Sequence, residues 1–258
     1  MSEAAVPLLE TSGLTKIFGR LTALRSQSIT VRTGEIVGVI GPNGSGKSTF
    51  FNCVTGFLRP NAGEVRLSGQ PIQNLPPMKI ARLGIARTFQ GTRLFAGLTV
   101  RENVRAAAQL RHPSSMLDAV LGTPRLRAVE DKVDAMTAEL LGLVDLHRQA
   151  DRRAGDLPYG DQRRLELVRA LATGPRLLML DEPAAGMDAA ETRRLLELIS
   201  DIRHRYKLGV IVVEHDMDLI MNLCDRIQVL AAGETVFEGT PAAVQAHPRV
   251  REVYLGHE

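Results

Sequence analysis

The sequence predicts an α/β fold: a mainly parallel sheet with helices packed on it, a small antiparallel β subdomain and an inserted α-helical subdomain. Three observations carry that prediction. Residues 36–40, 177–180 and 210–213 are short runs that stay apolar without alternation, as strands covered on both faces do. A helical pattern follows each run, over residues 47–57, 189–206 and 217–224, and strand–helix alternation is the pattern of a parallel sheet. Residues 99–173 read as almost all helical, broken by His112-Pro113 and Thr123-Pro124.

In chain order, residues 8–18, 23–31 and 64–67 read as short strands divided by turn residues such as Thr33-Gly34 and Asn61-Ala62-Gly63. These supply the antiparallel sheet. The core strand 36–40 and its helix come next. The helical stretch follows, with a last helix expected over 165–172, and the core then resumes at residue 177. Ala232-Gly233-Glu234 marks a hairpin, and helices are expected from about residue 241 and over 249–254. The expected division is one domain. Residues 1–98 and 174–240 form the β subdomain and core, 99–173 the helical subdomain, and 241–258 a helical tail.

Composition narrows the function classes. Of 258 residues, 44 % are hydrophobic and 24 % charged, so the chain folds around a core and is not disordered. No apolar run approaches the roughly 20 residues needed to cross a bilayer. Residues 1–9 lack the charged head and apolar centre of a secretory signal. Cys53 and Cys224 fit no metal spacing and are expected to be reduced, as in a cytosolic protein. A net charge of +3 is too small to argue for a nucleic-acid partner.

The chemistry begins at Gly41-Pro42-Asn43-Gly44-Ser45-Gly46-Lys47-Ser48-Thr49, directly after the first core strand. From Gly41 to Ser48 this fits the phosphate-loop template. Its glycines let backbone N–H groups curl around an oxyanion, and the helix starting near Lys47 points its positive dipole end at the same charge. Lys47 adds a cation for the β/γ-phosphates, and the Ser48 hydroxyl is placed to ligate Mg²⁺. The second piece is Leu177-Leu178-Met179-Leu180-Asp181-Glu182, a buried strand leading to two carboxylates. Asp181 suits the Mg²⁺ shell. Glu182 suits polarising an attacking water, which favours hydrolysis over transfer to a small molecule.

Three further runs complete a pattern: Ala86-Arg87-Thr88-Phe89-Gln90, Leu157-Pro158-Tyr159-Gly160-Asp161-Gln162-Arg163-Arg164, and Glu214-His215-Asp216. In this order and spacing the chain resembles the ATP-binding-cassette (ABC) ATPases over nearly its whole length. The resemblance implies a phosphate-loop, RecA-like core with ATP and Mg²⁺ as cofactors. It gives Gln90 the role of the glutamine that reaches the metal and couples to a membrane partner. It makes Leu157 to Gln162, with Tyr159, Gly160, Asp161 and Gln162, the signature loop presented to ATP on an opposite subunit. It makes Ala185-Gly186-Met187-Asp188 the D-loop, His215 the switch histidine, and Phe18 the aromatic residue against adenine. The family signature usually reads Leu-Ser-Gly-Gly-Gln. Here Pro158 replaces the serine, which removes a hydroxyl and an N–H donor, Tyr159 replaces a glycine, and Asp161 replaces the glutamine.

Within the family, Arg87-Thr88-Phe89-Gln90 with Arg93-Leu94-Phe95 and Leu98-Thr99-Val100-Arg101-Glu102-Asn103 is similar to branched-chain (hydrophobic) amino-acid importers. So are Tyr159 through Glu166, Asp181 through Met187, and the ending Val253-Tyr254-Leu255-Gly256. The insert at 112–128 looks like the longer of their two ATPase subunits. The resemblance implies a second ABC ATPase subunit (a paralogue, or a second copy in isolation), two integral membrane permeases and a periplasmic or extracellular solute-binding protein. It implies a peripheral place on the cytoplasmic face of the inner membrane. ATPases for urea or amide import look much alike. A soluble ABC protein of translation or DNA repair usually carries two cassettes or long coiled coils, and a phosphate-loop kinase has no use for a signature loop or for His215. The segment after Gln90, through Arg93, Leu94, Phe95 and Leu98, mixes apolar groups with arginine and is expected either to dock a permease helix or to pack the helical subdomain.

Overall fold

A computed structural model describes residues 6–111 and 123–255. The insert read at 112–128 therefore lies largely outside the described residues, as do residues 1–5 of the N-terminus and Gly256 of the ending. The described chain forms two sheets. Strands β1 (Leu9–Phe18), β2 (Leu21–Val31), β4 (Ala62–Leu67) and β5 (Gln70–Pro71) make an antiparallel sheet in the order β2-β1-β4-β5. The second sheet runs β10-β9-β3-β8-β7-β6, from β3 (Ile36–Ile40), β6 (Ile85–Arg87), β7 (Leu177–Asp181), β8 (Gly209–Val213), β9 (Arg226–Ala231) and β10 (Glu234–Gly239). All its pairings are parallel except β9 with β10.

The central strands are buried at every position, and their side chains divide by alternation. Ile36, Ile40, Leu178, Leu180, Val210 and Val212 join one core cluster, while Val37, Val39, Leu177, Met179, Ile211 and Val213 join the other. This is why the sequence shows no alternation there: both faces are dry. The second cluster is closed by the antiparallel sheet and by Phe50 and Phe51 of α1 (Lys47–Val54). The first is closed by helices α3 (Val100–Arg111), α4 (Pro124–Leu143), α5 (Tyr159–Ala172), α6 (Ala189–Tyr206) and α7 (Met217–Leu223).

Several expectations change. The helical stretch is interrupted between α4 and α5, where only the short 3-10 turns His147–Gln149 and Ala154–Asp156 form. The parallel sheet has β6 and β9 in addition to the three strands foreseen. β6 has only three residues, and β9 had been read only as one arm of the tail hairpin, whereas it also lies beside β3. Helix α1 ends at Val54, short of residue 57, where the Thr55 hydroxyl donates to the Phe51 carbonyl at 2.6 Å. Helix α5 begins at Tyr159 and not at residue 165, with Pro158 as its N-cap, a position that needs no N–H donor. A short helix α2 (Pro77–Arg82) also lies between β5 and β6. The tail hairpin and the helices α8 (Pro241–Ala246) and α9 (Pro248–Leu255) form as foreseen. Cys53 and Cys224 are buried and free, and burial pushes their thiols up to about 11 and about 12.

One buried side chain anchors the far end of the segment after Gln90, at Phe95 and Thr99. Asn103, on α3 and wholly buried, accepts from the Phe95 amide at 2.9 Å and donates to the Phe95 and Thr99 carbonyls at 3.1 and 3.0 Å. Its removal leaves the Phe95 amide without its partner, while the Phe95 and Thr99 carbonyls keep the backbone donors of Leu98 and Asn103. Asn103→Ala is expected to lower unfolding free energy by about 1–3 kcal/mol in a denaturant titration. A loss below about 0.5 kcal/mol would mean that water replaces the amide without cost.

Candidate functional site

The loop between β3 and α1 is shaped by close approach. Gly41, at φ +151°, lies so near the Leu230 carbonyl that an added Cβ would come within 2.1 Å of that oxygen. Gly46, at φ +106° and the N-cap of α1, would place a Cβ 2.6 Å from the Ala23 carbonyl of β2. No other residue fits either position, so the loop is held against β2 and β9 with its turn fixed. Asn43 and Gly44 are exposed at its tip, and Pro42 is half-buried. Ser45 is buried, with its hydroxyl unpartnered. Such a donor, beside the N-terminus of α1, fits a bound oxyanion.

Lys47 is buried and reaches back across the loop, donating to the carbonyls of Gly41 at 2.6 Å and Pro42 at 3.0 Å. Burial holds its ammonium below the usual lysine range, and the carboxylates of Glu182 and Asp181 oppose that shift. The cation therefore sits between the loop and the two acids. Ser48 and Thr49 follow on α1, with Ser48 exposed. Ser48 and Asn52, Arg87, Gln90 and Asp181 share the wall of a cavity of about 500 Å³.

Asp181 closes β7 and Glu182 follows it in the left-handed region, at φ +48°. The Glu182 amide donates to the Val213 carbonyl at 2.8 Å. Its carboxylate is gripped from two sides: Gln90 Nε2 donates to Oε2 at 2.9 Å, and His215 Nε2 lies 2.7 Å from Oε1. Gln90, Glu182 and His215 thus come from three separate loops at the carboxyl ends of β6, β7 and β8. Asp181 itself is buried and paired with Arg87, whose Nη2 donates to Oδ2 at 2.7 Å.

Among the described residues, no group of three or more His, Cys, Asp or Glu side chains could hold a metal ion alone. One carboxylate (Asp181), one hydroxyl (Ser48) and one amide (Gln90) fit Mg²⁺ that keeps its remaining coordination for water and nucleotide phosphates. The donor set therefore suits a metal that arrives with a phosphate ligand.

The signature residues lie elsewhere. Tyr159, Gly160, Asp161 and Gln162 form the first turn of α5, with no side-chain cap. Asp161 is turned inward, accepting from Gln149 at 3.0 Å and paired with Arg164, and Gln162 donates to the Leu157 carbonyl at 2.9 Å. Their side chains are engaged within the subdomain, so the backbone N–H groups of this turn are what α5 can offer to an anion. None of the four lines either cavity that the phosphate loop lines, of about 470 and 500 Å³. Phe18 is likewise outside both cavities. It is 44 % exposed at the end of β1, with the Lys16 ammonium 5.1 Å from its ring centre.

Four residues that matter were not singled out. Arg163 donates to the Phe89 carbonyl at 3.0 Å and the Gln90 carbonyl at 2.7 Å, and pairs with the buried Glu166. Glu214 is buried, accepting from the Ala184 amide at 2.9 Å and the His215 amide at 3.2 Å, while burial pushes its carboxyl up. Arg87 clamps Asp181, and Asn52 holds Arg87 by accepting from its Nη1. Arg87, Arg163 and Glu214 fall inside motif runs. The only signal was that charged residues there stand beside strand ends or on a helix face with apolar neighbours.

Known proteins match the chain along its length. The sequence profile described as ABC transporter matches residues 24–185, and that of the branched-chain amino acid ATP-binding cassette transporter matches residues 234–258. The high-affinity branched-chain amino acid transport ATP-binding protein BraF of Pseudomonas aeruginosa is 44 % identical, over 97 % of this chain and 98 % of its own. The corresponding LivG of Escherichia coli K12 is 42 % identical over the same shares. The ADP conformation of an ATP-binding cassette from an ABC transporter superposes with a TM-score of 0.83 at 31 % identity, covering 97 % of this chain and 99 % of that one. A phosphate loop, a paired aspartate and glutamate at the end of β7, and relatives matched from end to end place this chain in the ABC transporter ATP-binding family.

Proposed function

We propose that this chain is the ATP-hydrolysing subunit of a membrane importer for branched-chain or other hydrophobic amino acids. The observation that carries the reading is Glu182. Its carboxylate follows Asp181, stands beside the phosphate loop and is held from both sides by Gln90 and His215. The import assignment is supported by BraF and LivG, whose names state that transport, and by the tail profile. The lipopolysaccharide export ATP-binding protein LptB of Acidithiobacillus ferridurans, another member of the family, is 35 % identical.

In this reading the backbone of residues 41–49 and Lys47 hold the β- and γ-phosphates, and Ser48, Asp181 and Gln90 face Mg²⁺. The metal, when bound with nucleotide, neutralises charge on the β/γ-oxygens. Glu182 accepts the proton of the attacking water or orients it, Gln90 and His215 keep the carboxylate aimed, and His215 is placed to meet the γ-phosphate. Phe18 supports the adenine. The N-terminus of α5, away from the loop in this chain, serves a nucleotide held by a second cassette. A dimeric bacterial ABC transporter cassette superposes with a TM-score of 0.77 at 25 % identity, which supports that arrangement.

A groove of about 620 Å³ suits the membrane partner. It contains Phe57, Met78, Phe95 and Leu110, all more than half exposed, with Arg93 and Arg169 at hand. The post-Gln90 segment splits between its two expected roles: Leu94 packs on the core, whereas Phe95 is 55 % exposed in the groove. An apolar floor with a basic rim suits a short permease helix. Among the described residues no helix is long and apolar enough to cross a membrane. In this reading the chain sits on the cytoplasmic face, bound to two permeases. A solute-binding protein would deliver the amino acid from outside.

Two outcomes follow. Glu182→Gln is expected to bind ATP as the parent does and to hydrolyse it about 10²- to 10⁴-fold more slowly in the assembled transporter, whereas Lys47→Ala loses affinity for ATP in calorimetry. Near-parental turnover by Glu182→Gln would remove the assigned role. Phe95→Ala is expected to release the permeases or uncouple uptake from hydrolysis. It should change the unfolding free energy of the isolated cassette by less than about 1 kcal/mol, where a core phenylalanine loses about 3–5. A loss in that larger range would show that Phe95 belongs to the core and not to the docking surface.

A further inference from the structure

Arg87 is built into a clamp that the motifs do not explain. It ends β6, three residues before Gln90. Its Nη2 donates to Asp181 Oδ2 at 2.7 Å, and its Nη1 donates to Asn52 Oδ1 at 2.6 Å. The two paired side chains are each 8 % exposed. The guanidinium lies 5.2 Å from the Phe51 ring centre and 4.9 Å from that of Phe89. Asn52 stands four residues after Ser48 on α1, hence on the same face of that helix. The planar fork therefore spans the two elements that carry the expected metal donors, Ser48 on α1 and Asp181 on β7. It grips Asp181 by one oxygen, Oδ2. Two hydrogen bonds and two aromatic contacts hold the fork, whose buried Nε has no partner, in a geometry that the single ammonium of a lysine does not reproduce.

We propose that Arg87 is the positioning residue for Asp181, fixing the distance and aim of its carboxylate relative to Ser48 so that the pair receives Mg²⁺ with the nucleotide. The proposal rests on the reading that Asp181 and Ser48 face that metal. Charge alone predicts the reverse, because a guanidinium beside a cation site repels the cation. The sign of the effect therefore distinguishes positioning from simple charge balance. Arg87 has a second consequence. With Phe57, Phe89 and Arg93 it lines both the nucleotide-side cavity and the 620 Å³ groove. A helix seated in the groove would bear on the same guanidinium that holds Asp181.

The test is the affinity of the isolated full chain for ATP, by calorimetry, in EDTA and in excess Mg²⁺. The readout is the ratio of the two affinities. Loss of a group that orients a metal ligand costs about 10- to 100-fold in metal affinity. Arg87→Lys is therefore expected to cut the ratio tenfold or more while leaving the EDTA affinity within twofold. Asn52→Ala keeps the buried charge pair and removes one arm of the clamp; it is expected to shift the ratio the same way by less, and it decides the matter should Arg87→Lys not fold. A ratio unchanged in the folded variants, an equal loss with and without metal, or tighter metal dependence in Arg87→Gln would each overturn the proposal. A parent whose ATP affinity ignores Mg²⁺ would instead overturn the metal reading of Asp181 and Ser48. The groove has its own arm: Arg87→Lys in the assembled transporter is expected to lower kcat with little change in KM, and the calorimetric result stands whether or not the groove holds a permease.

Discussion

The site depends on how β7 ends. Glu182 takes a left-handed backbone, φ +48°, immediately after a strand buried at every position. A non-glycine residue there costs about 1–3 kcal/mol unless its surroundings hold it. Parallel pairing of β7 with β8 runs through Asp181 opposite Val213, and the Glu182 amide continues it by donating to the Val213 carbonyl. The bend turns the carboxylate out of the sheet edge into reach of Gln90 and His215. Parallel strands bring all their carboxyl ends to one edge, so loops distant in sequence meet there without further design. The phosphate loop after β3 sits at that same edge.

The connection outward from Glu182 is continuous. Gln90 touches Glu182 through its side chain, while its carbonyl accepts from Arg163 of α5. Arg163 also holds the Phe89 carbonyl and pairs with Glu166, both side chains being almost fully buried. Burial pushes the Glu166 carboxyl up, and the Arg163 guanidinium opposes this. Gln90 is thus bonded to helix α5. Phe89 carries the same region to the groove, with the Phe57 ring 5.9 Å away and Arg93 stacked at 4.0 Å. A displacement of the segment at Gln90 would move both the Glu182 carboxylate and the end of α5 that a second cassette would use.

Much of this was legible in the sequence, for physical reasons. Strands dry on both faces announce themselves as unbroken apolar runs, and a loop that must cradle phosphate needs its glycines and lysine at fixed spacing. Helix α6 forms over the expected residues, and Asp188 with Glu191 makes a capping box at its start. What was hidden depends on tertiary contact. β6 is too short to show a period, and β9 has two possible neighbours until the sheet is assembled. The start of α5 was obscured because polar residues of its first turn look like loop until Asp161 and Gln162 find partners inside the subdomain. Arg87 lay within a quoted motif, yet only the approach of α1 and β7 reveals what it holds. Exposure, too, is a tertiary property, and the sequence could not separate Leu94 from Phe95.

In the proposed reading this chain holds half of a site: the phosphate loop, Glu182 and His215 lie together, and the first turn of α5 lines neither of the two loop cavities described above. Sedimentation velocity of the Glu182→Gln chain, alone and mixed with the second cassette of its transporter, tests this most directly. With ATP and Mg²⁺ the account predicts a shift from monomer to two-cassette species, and with ADP none. Persistence of monomers in both mixtures with ATP would contradict it.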